Sequence, residues 1–146
     1  MTTIVAAAVG AIVAALQSAP AVAPTVARVR LRPLAHPVAT AVVVRPLQTE
    51  VTQASLQQGY PVSWASQIAV ECYAKSTAAT SPDVAVDALL EAVYARLFTD
   101  PALVATGLLT LEPKEVSFDF DADGDQTTCA TLVITARHRA LGISLS

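Results

Sequence analysis

The chain has 146 residues, of which 53% are hydrophobic and only 14% are charged, and its net charge is −3. So few charges argue against a disordered chain, and the acidic balance argues against nucleic acid as the main ligand. A chain this apolar is expected to bury part of its surface against other copies or partners. The length predicts one domain that spans residues 1–146.

The first apolar segment, residues 4–16 (IVAAAVGAIVAAL), predicts an alanine-rich helix from about Thr3 to Ser18, capped by Thr2 or Thr3. Its wide apolar surface is expected to lie against a sheet or another subunit. The alternative is a secretory leader at residues 1–23, although no basic residue precedes the apolar run. The run is also shorter than the ~20 residues that span a bilayer.

Period-two alternation predicts three strands after this helix. The first is residues 25–32, with Ala27, Val29 and Leu31 on one face and Arg28, Arg30 and Arg32 on the other. The second is Thr40 to Gln53, where Pro46 indicates an edge or a bulge. Residues 56–64 predict a loop or hairpin tip, and Ala65 to Lys75 predict the third strand. The alternation places Ile68, Val70, Cys72 and Ala74 of this strand on one face.

The second half of the chain predicts a helix and a hairpin. Ser81, Pro82 and Asp83 have the order of an N-cap, a first helical residue and an acidic first turn. The helix is expected to run to about Phe98, with a buried stripe made of Val86, Leu90, Val93 and Leu97. Asp100-Pro101 predicts a short further helix that Gly107 ends, and residues 115–121 and 127–138 flank a turn.

These elements predict an α+β fold. It comprises a mainly antiparallel sheet of four to five strands packed against an N-terminal and a central helix, with a C-terminal β-hairpin. Cys72 and Cys129 are expected to be buried free thiols, because two isolated cysteines make neither a zinc site nor a disulfide framework. A Cys72–Cys129 bridge is the alternative if their strands are neighbours.

Charge is distributed unevenly along the chain. Residues 1–49 carry four arginines and no acidic residue, whereas residues 50–146 carry a net charge of −7. This polarity suits assembly in which opposite poles of neighbouring copies meet, although small counts also fluctuate by chance. The stripe of Arg28, Arg30 and Arg32 is too small for stable DNA binding and favours salt bridges within or between subunits over a solvated face.

The acidic turn DFDADGD resembles the first half of a calcium-binding EF-hand loop. The second half of the loop does not match, because Ala130 stands at the position where an EF-hand has a bidentate glutamate. A solvated hairpin tip is therefore favoured. Weak binding of Ca²⁺ or Mg²⁺ remains an alternative, and its ligands would be Asp119, Asp121, Asp123 and Asp125.

No catalytic or cofactor-binding residues are predicted. The sequence has no GxSxG motif and no glycine-rich phosphate loop. Its two histidines, His36 and His138, are interpreted as surface residues rather than bases. Aromatic residues of the kind enriched at protein contacts lie in or beside the predicted 56–64 loop, with ordinary packing as the alternative: Tyr60, Trp64 and Tyr73.

The element order resembles that of the phage tail terminator family, proteins similar to minor tail protein U of lambda-like siphophages. The resemblance covers nearly the whole chain: the N-terminal helix; TVARVRLR and TAVVVRPLQTEVTQ; the run SQIAVECYAKSTAATSPD into the helix VAVDALLEAVYARLF; and VSFDFDADGDQTTCATLVITARHR. The strand, the S-P-D helix start and the F-x-D-P-A-L helix end are its most specific part. The Ala/Val-rich first helix and the arginine stripe are not matched to a family feature.

The resemblance implies a non-enzymatic virion protein, assembled in the host cytoplasm, that forms a homo-oligomeric ring, a hexamer in the family. Such a ring caps the tail tube protein at the length set by the tape measure protein, stops polymerisation, and offers a surface to the head-completion protein. DNA passes through only as cargo, and no cofactor or membrane is involved. The alternatives are another neck or connector protein, or a small secreted domain with a leader at 1–23.

Overall fold

A computed structural model describes residues 3–29, 39–53, 61–77, 79–100, 103, 110–120 and 127–141. Two helices and five strands lie within these ranges. In chain order they are α1 (Ile4–Gln17), β1 (Thr25–Arg28), β2 (Thr40–Gln53), β3 (Pro61–Lys75), α2 (Pro82–Thr99), β4 (Thr110–Phe120) and β5 (Thr127–Leu141).

The strands form one sheet in the order β1-β2-β3-β5-β4. The β2–β3, β3–β5 and β4–β5 pairs are antiparallel, and β1 lies parallel to β2. Helix α1 packs mainly against β1 and β2, and α2 packs against β3 and β5, so both helices cover the same face of the sheet. The predicted α+β class is confirmed, with a C-terminal hairpin made of β4 and β5.

The core lies between this helix layer and the sheet. Even-numbered strand residues supply its sheet side, as the alternation predicted for the third strand. Those of β3 and β5 are fully or almost fully buried: Ile68, Val70, Cys72, Ala74, Ala130, Leu132, Ile134 and Ala136. The helices contribute Val9, Ile12 and Leu16 from α1 and Val86, Leu89, Val93 and Leu97 from α2. Leu89 takes the buried position predicted for Leu90, which is only partly buried and packs against the core.

The caps of both helices follow the sequence. Thr3 is the N-cap of α1, and its Oγ1 accepts a hydrogen bond from the Ala6 N–H at 3.2 Å. Ser81 precedes α2, with Pro82 at the first helical position and Asp83 in the first turn. A register shift between Pro46 and Gln48 confirms the bulge predicted for β2.

The first strand is shorter than predicted. It ends at Arg28, and Val29 has a φ of 51°, a conformation that β-branched residues rarely adopt. Val29 still donates its N–H to Val44 O at 3.0 Å, but its side chain is 48% exposed, while Val26 packs against the core. The described strand therefore ends at Arg28, and the remaining residues of the predicted strand, 30–32, lie outside the described ranges.

Arg96, in the last turn of α2, joins the two helices. Its Nη1 donates to Ala15 O at 3.0 Å, Ser18 O at 2.9 Å and Ser18 Oγ at 2.7 Å, and its Nη2 donates to Pro20 O at 2.8 Å. These acceptors belong to the C-terminal end of α1 and the residues after it, where carbonyls have no partner within the helix. The guanidinium therefore caps α1 from its neighbour, and we call this group of contacts the Arg96 clamp.

Replacing Arg96 is expected to lower the free energy of unfolding. Arg96→Ala leaves the partly buried Ala15 carbonyl and the more exposed acceptors on Ser18 and Pro20 without their charged donor, and we expect a loss of about 1–2 kcal/mol in urea denaturation. Arg96→Lys retains the charge but not the planar fork, so it should recover only part of the loss. The control is Arg139→Ala on β5, an exposed arginine, for which a change within about 0.5 kcal/mol is expected. Equal losses for Arg96→Ala and Arg139→Ala would contradict the clamp.

Candidate subunit and partner interface

The exposed large apolar side chains are concentrated at two opposite ends of the sheet. Among the described residues there are eight, and Tyr94 on α2 is the one that belongs to neither group. One group is Val29, Leu47 and Val51, at the end formed by β1 and β2; the other is Val84, Val116, Phe118 and Phe120, where β4 meets the start of α2. Clustered exposed apolar side chains are typical of surfaces that bind another protein.

The second group borders a groove between β4 and α2. The groove has a volume of about 410 Å³ and is lined by Asp83, Val84, Val86, Asp87, Phe118 and Phe120. We call it the β4–α2 groove. Val86 is buried at its base, whereas Phe118 and Phe120 are 52% and 64% exposed. The groove is thus an apolar cleft with two carboxylates beside it.

Strand register explains why the two rings reach this groove. Phe118 pairs with Ala130, and Phe120 pairs with Thr128, both on β5. Ala130 belongs to the core beneath the helix layer. Phe118 lies opposite Ala130, and Phe120 lies two residues farther along β4, so both rings point to the same face of the sheet as Ala130. Helix α2 packs against β3 and β5 but does not extend over this half of β4. The rings therefore project beside the helix rather than beneath it.

Strand β4 is also an edge of the sheet. Along it, every residue except the half-buried Leu111 is exposed, and no described strand lies beyond it. Pro113 and the register shift that follows protect one half of this edge, as edge strands commonly do. Residues 115–120 contain no proline and no register shift, and an exposed strand edge can pair with another chain.

The opposite end of the sheet has the same character. Strand β1 pairs with residues 41–44 of β2, so the part of β2 from Arg45 to Gln53 has no described strand on its outer side. Leu47 at the bulge is 42% exposed, and Val51 is 49% exposed. Arg28 is exposed at the end of β1. We call these residues, with Val29, the β1–β2 edge.

The two ends differ in charge. Residues 115–120 of β4 and residues 82–88 of α2 contain four carboxylates and no basic residue: Asp83, Asp87, Glu115 and Asp119. Hydrogen bonds from Ser81 and the Val84 backbone N–H lower the pKa of Asp83, so this carboxylate stays charged well below neutral pH. The β1–β2 edge carries Arg28 and Arg45 with one carboxylate, Glu50.

Arg45, Glu71 and Tyr73 form a polar cluster on the sheet face that is turned away from the helices. Arg45 Nε donates to Glu71 Oε1 at 2.6 Å, and the Tyr73 hydroxyl donates to Glu71 Oε2 at 3.0 Å. Burial raises the pKa of Tyr73, and the charges of Cys129 and Glu71 add to the effect. Tyr73, a candidate contact residue from the sequence, is thus half-buried and bonded within its own chain.

The structure brings together few of the other candidate contact residues. Trp64 lies within β3 rather than in a loop, because that strand begins at Pro61, four residues earlier than predicted. It is half-buried and pairs with His138 of β5. Arg28 is exposed, whereas Arg30, Arg32 and Tyr60 lie outside the described residues. The role of these residues in an interface stays a prediction.

The acidic turn lies mostly outside the described residues. Asp119 is an exposed residue of β4, and Asp121, Asp123 and Asp125 belong to the segment that the structure does not describe. Within the described ranges, no three side chains of metal-ligating type gather at one place. The alternative of weak cation binding at this turn is therefore still a prediction.

Both cysteines are buried free thiols, as predicted. Their strands are neighbours, but Cys129 pairs with Tyr73, one residue along from Cys72, so the two sulfurs lie on opposite faces of the sheet. Burial, with a contribution from Cys129, raises the pKa of Cys72 to about 12. Burial also raises the pKa of Cys129. Neither sulfur has the lowered pKa of an activated nucleophile.

His138 is not the surface residue that the sequence indicated. It is fully buried on the helix side of β5, and neither ring nitrogen has a hydrogen-bond partner among the described residues. The Trp64 Nε1 is buried without a described partner as well. Burial lowers the pKa of His138, since a charged imidazole would lose its hydration there. The misleading signal was the flanking pair Arg137 and Arg139, which are exposed on the other face.

Among the described helices, none combines the length and apolar character needed to cross a membrane.

No protein-family model matches the sequence, and no curated protein matches it significantly. Solved structures do match the fold, in 28 chains. One is a chain from the "Virion of native gene transfer agent (GTA) particle", with a TM-score of 0.56 and 16% sequence identity. The alignment covers 90% of this chain and 94% of that chain. At this identity the match shows that the two chains share a fold along nearly their whole length.

The buried His138 predicts a pH dependence of stability. Above the ordinary histidine pKa of about 6.5 both the folded and unfolded chains are neutral at this residue. As pH falls below that value the unfolded chain takes up a proton that the folded chain resists. The free energy of unfolding therefore falls, by at most about 1.4 kcal/mol per pH unit from this residue, until the lowered pKa is reached.

The measurement is urea denaturation between pH 7.5 and pH 5. His138→Gln should flatten the dependence in this window, because no group titrates at the site. The matched control is His36→Gln, which removes the second of the two histidines and should leave the slope in place. A slope that survives His138→Gln and disappears in the control would contradict the assignment.

Proposed function

We propose that the protein is a structural component of a virion, and more specifically a tail terminator. In this role copies of the chain, each a single domain spanning residues 1–146, close into a ring on the last ring of tail tube subunits. The ring stops tube polymerisation and offers the surface to which the head-completion protein binds. It belongs to the tail end or neck of a particle assembled in the host cytoplasm, and DNA passes through it only as cargo.

The pair of exposed apolar sheet edges carries this proposal. Phe118 and Phe120 at one edge and Val51 at the other are about half exposed or more. A monomer would leave both edges in water, whereas an assembly that uses different surfaces on each copy covers both. Such a contact closes into a ring when the rotation between copies is right, and a closed ring offers no site for further addition at its rim.

Two further observations support a virion role. The fold matches a chain of a gene transfer agent virion over 90% of the present chain. The element order and the S-P-D helix start also resemble the tail terminator family. A ring on a tube end must bind the tube on one face and the head side on the other, so its partners would be the tube protein, the head-completion protein and, at the end of the growing tube, the tape measure protein.

The second candidate is another neck or connector protein, which would also form a ring. The same fold match to a virion chain favours it equally, because that match carries no information about position in the particle. The two roles differ in their partner, since a terminator binds the end of the tail tube and a connector binds the portal side.

The terminator role predicts an effect on tube length. Purified protein is added to tail tube protein that is polymerising on its tape measure and initiator complex, and tube lengths are measured by electron microscopy. We expect tubes to keep the length set by the tape measure, with an added ring at one end, and tubes without the protein to grow past that length.

Tubes that lengthen equally with and without the folded protein would contradict the terminator role. Binding to the portal-side complex in the same preparation, without binding to tube ends, would instead support the connector role. Neither outcome depends on which surfaces of the chain form the ring.

A further inference from the structure

We propose that the ring contact is head to tail, with the β4–α2 groove of one copy binding the β1–β2 edge of the next. This inference rests on the ring formation proposed above and assigns the surfaces that form it. The occupant of the groove is therefore a second copy of this chain.

Apolar content is the first reason. The groove presents Phe118 and Phe120, and the β1–β2 edge presents Val29, Leu47 and Val51, all exposed. The two sets lie at opposite ends of a five-stranded sheet. With strands about 4.8 Å apart, the ends are separated by roughly 19 Å, so one chain cannot cover its own groove with its own edge. A neighbouring copy can cover both.

Charge is the second reason. Asp83 and Asp87 line the groove, and no basic residue does. The exposed Arg28 lies beside the apolar side chains at the opposite end. A second copy therefore brings a guanidinium to an acidic groove, whereas groove-to-groove docking would bring carboxylates against carboxylates. Charge complementarity favours the head-to-tail arrangement over a symmetric dimer through either end.

Backbone geometry is the third reason. Residues 115–120 of β4 and residues 45–53 of β2 are both outer strand segments with no described neighbour on one side. A strand edge that approaches another strand edge can exchange backbone hydrogen bonds with it. The proposed contact brings together two such outer segments among the described residues.

The test uses two variants, each with one altered end. Phe118→Asp places a carboxylate in the acidic groove, and Val51→Asp places one on the edge that should enter the groove. Both positions are exposed, so each variant should fold, which urea denaturation verifies. The matched control is Tyr94→Asp, since Tyr94 is 44% exposed and belongs to neither surface. Sedimentation velocity measures the size of each protein alone and in mixtures.

We expect wild type and Tyr94→Asp to assemble, and each of the other two variants alone to be monomeric, with self-association weakened at least tenfold. Mixed in equal amounts, Phe118→Asp and Val51→Asp should form a 1:1 dimer that grows no further. Only a head-to-tail contact has this result. In the mixture, the intact edge of Phe118→Asp can bind the intact groove of Val51→Asp, and the remaining groove and edge are both altered. If either aspartate variant is unfolded, the serine variants Phe118→Ser and Val51→Ser replace it in the same experiment.

Two results would overturn the inference, and they are distinct. If wild type assembles and the variants assemble as well, or if the mixture gives no dimer, the contact lies elsewhere while ring formation stands. If wild type remains monomeric at every concentration and cannot be cross-linked, both the inference and the self-assembly required of a terminator are wrong.

Discussion

The two helices of this protein pack against four of the five strands, and the positions of its exposed apolar side chains on β4 follow from that constraint. Helix α1 covers β1 and β2, and α2 covers β3 and β5, which leaves the outer half of β4 beside the helix layer. Apolar residues that alternate onto the helix side of β4 therefore meet solvent.

The Arg96 clamp holds the helix layer in this position. It joins the last turn of α2 to the end of α1 through acceptors on Ala15, Ser18 and Pro20. Because the clamp connects two chain segments far apart in sequence, a shift of α2 relative to α1 would break several charge-assisted hydrogen bonds.

An open groove at one edge and an apolar edge at the other are costly for a monomer and useful in an assembly. Phe118 and Val51 are each about half exposed, and the strand edges beside them can pair with another chain. In the arrangement we propose, each copy covers the exposed end of its neighbour, and a closed ring covers them all. The tail terminator role that we propose requires such a ring, with its two faces left for the tube and the head side.

Local signals in the sequence were sufficient for several elements. Ser81 and Pro82 predicted the start of α2, Thr3 the start of α1, and Pro46 the bulge in β2, and each was confirmed. These features depend on residues within a few positions of each other, through capping, the fixed φ of proline and the alternation of side chains. The buried face of β3 and the free buried state of both cysteines followed from the same kind of pattern.

Other features depended on contacts between distant segments, and the tertiary structure alone decided them. The sequence could not indicate that β1 ends at Arg28 and lies parallel to β2, that Trp64 belongs to β3, or that His138 is buried. The exposure of Phe118 was equally hidden, because alternation places a side chain on a face without stating whether a helix covers that face. By itself the sequence determined the helix starts, the buried face of β3 and the class of fold. Which side chains stay uncovered, and hence where we propose that another copy binds, was decided by which strands the two helices cover.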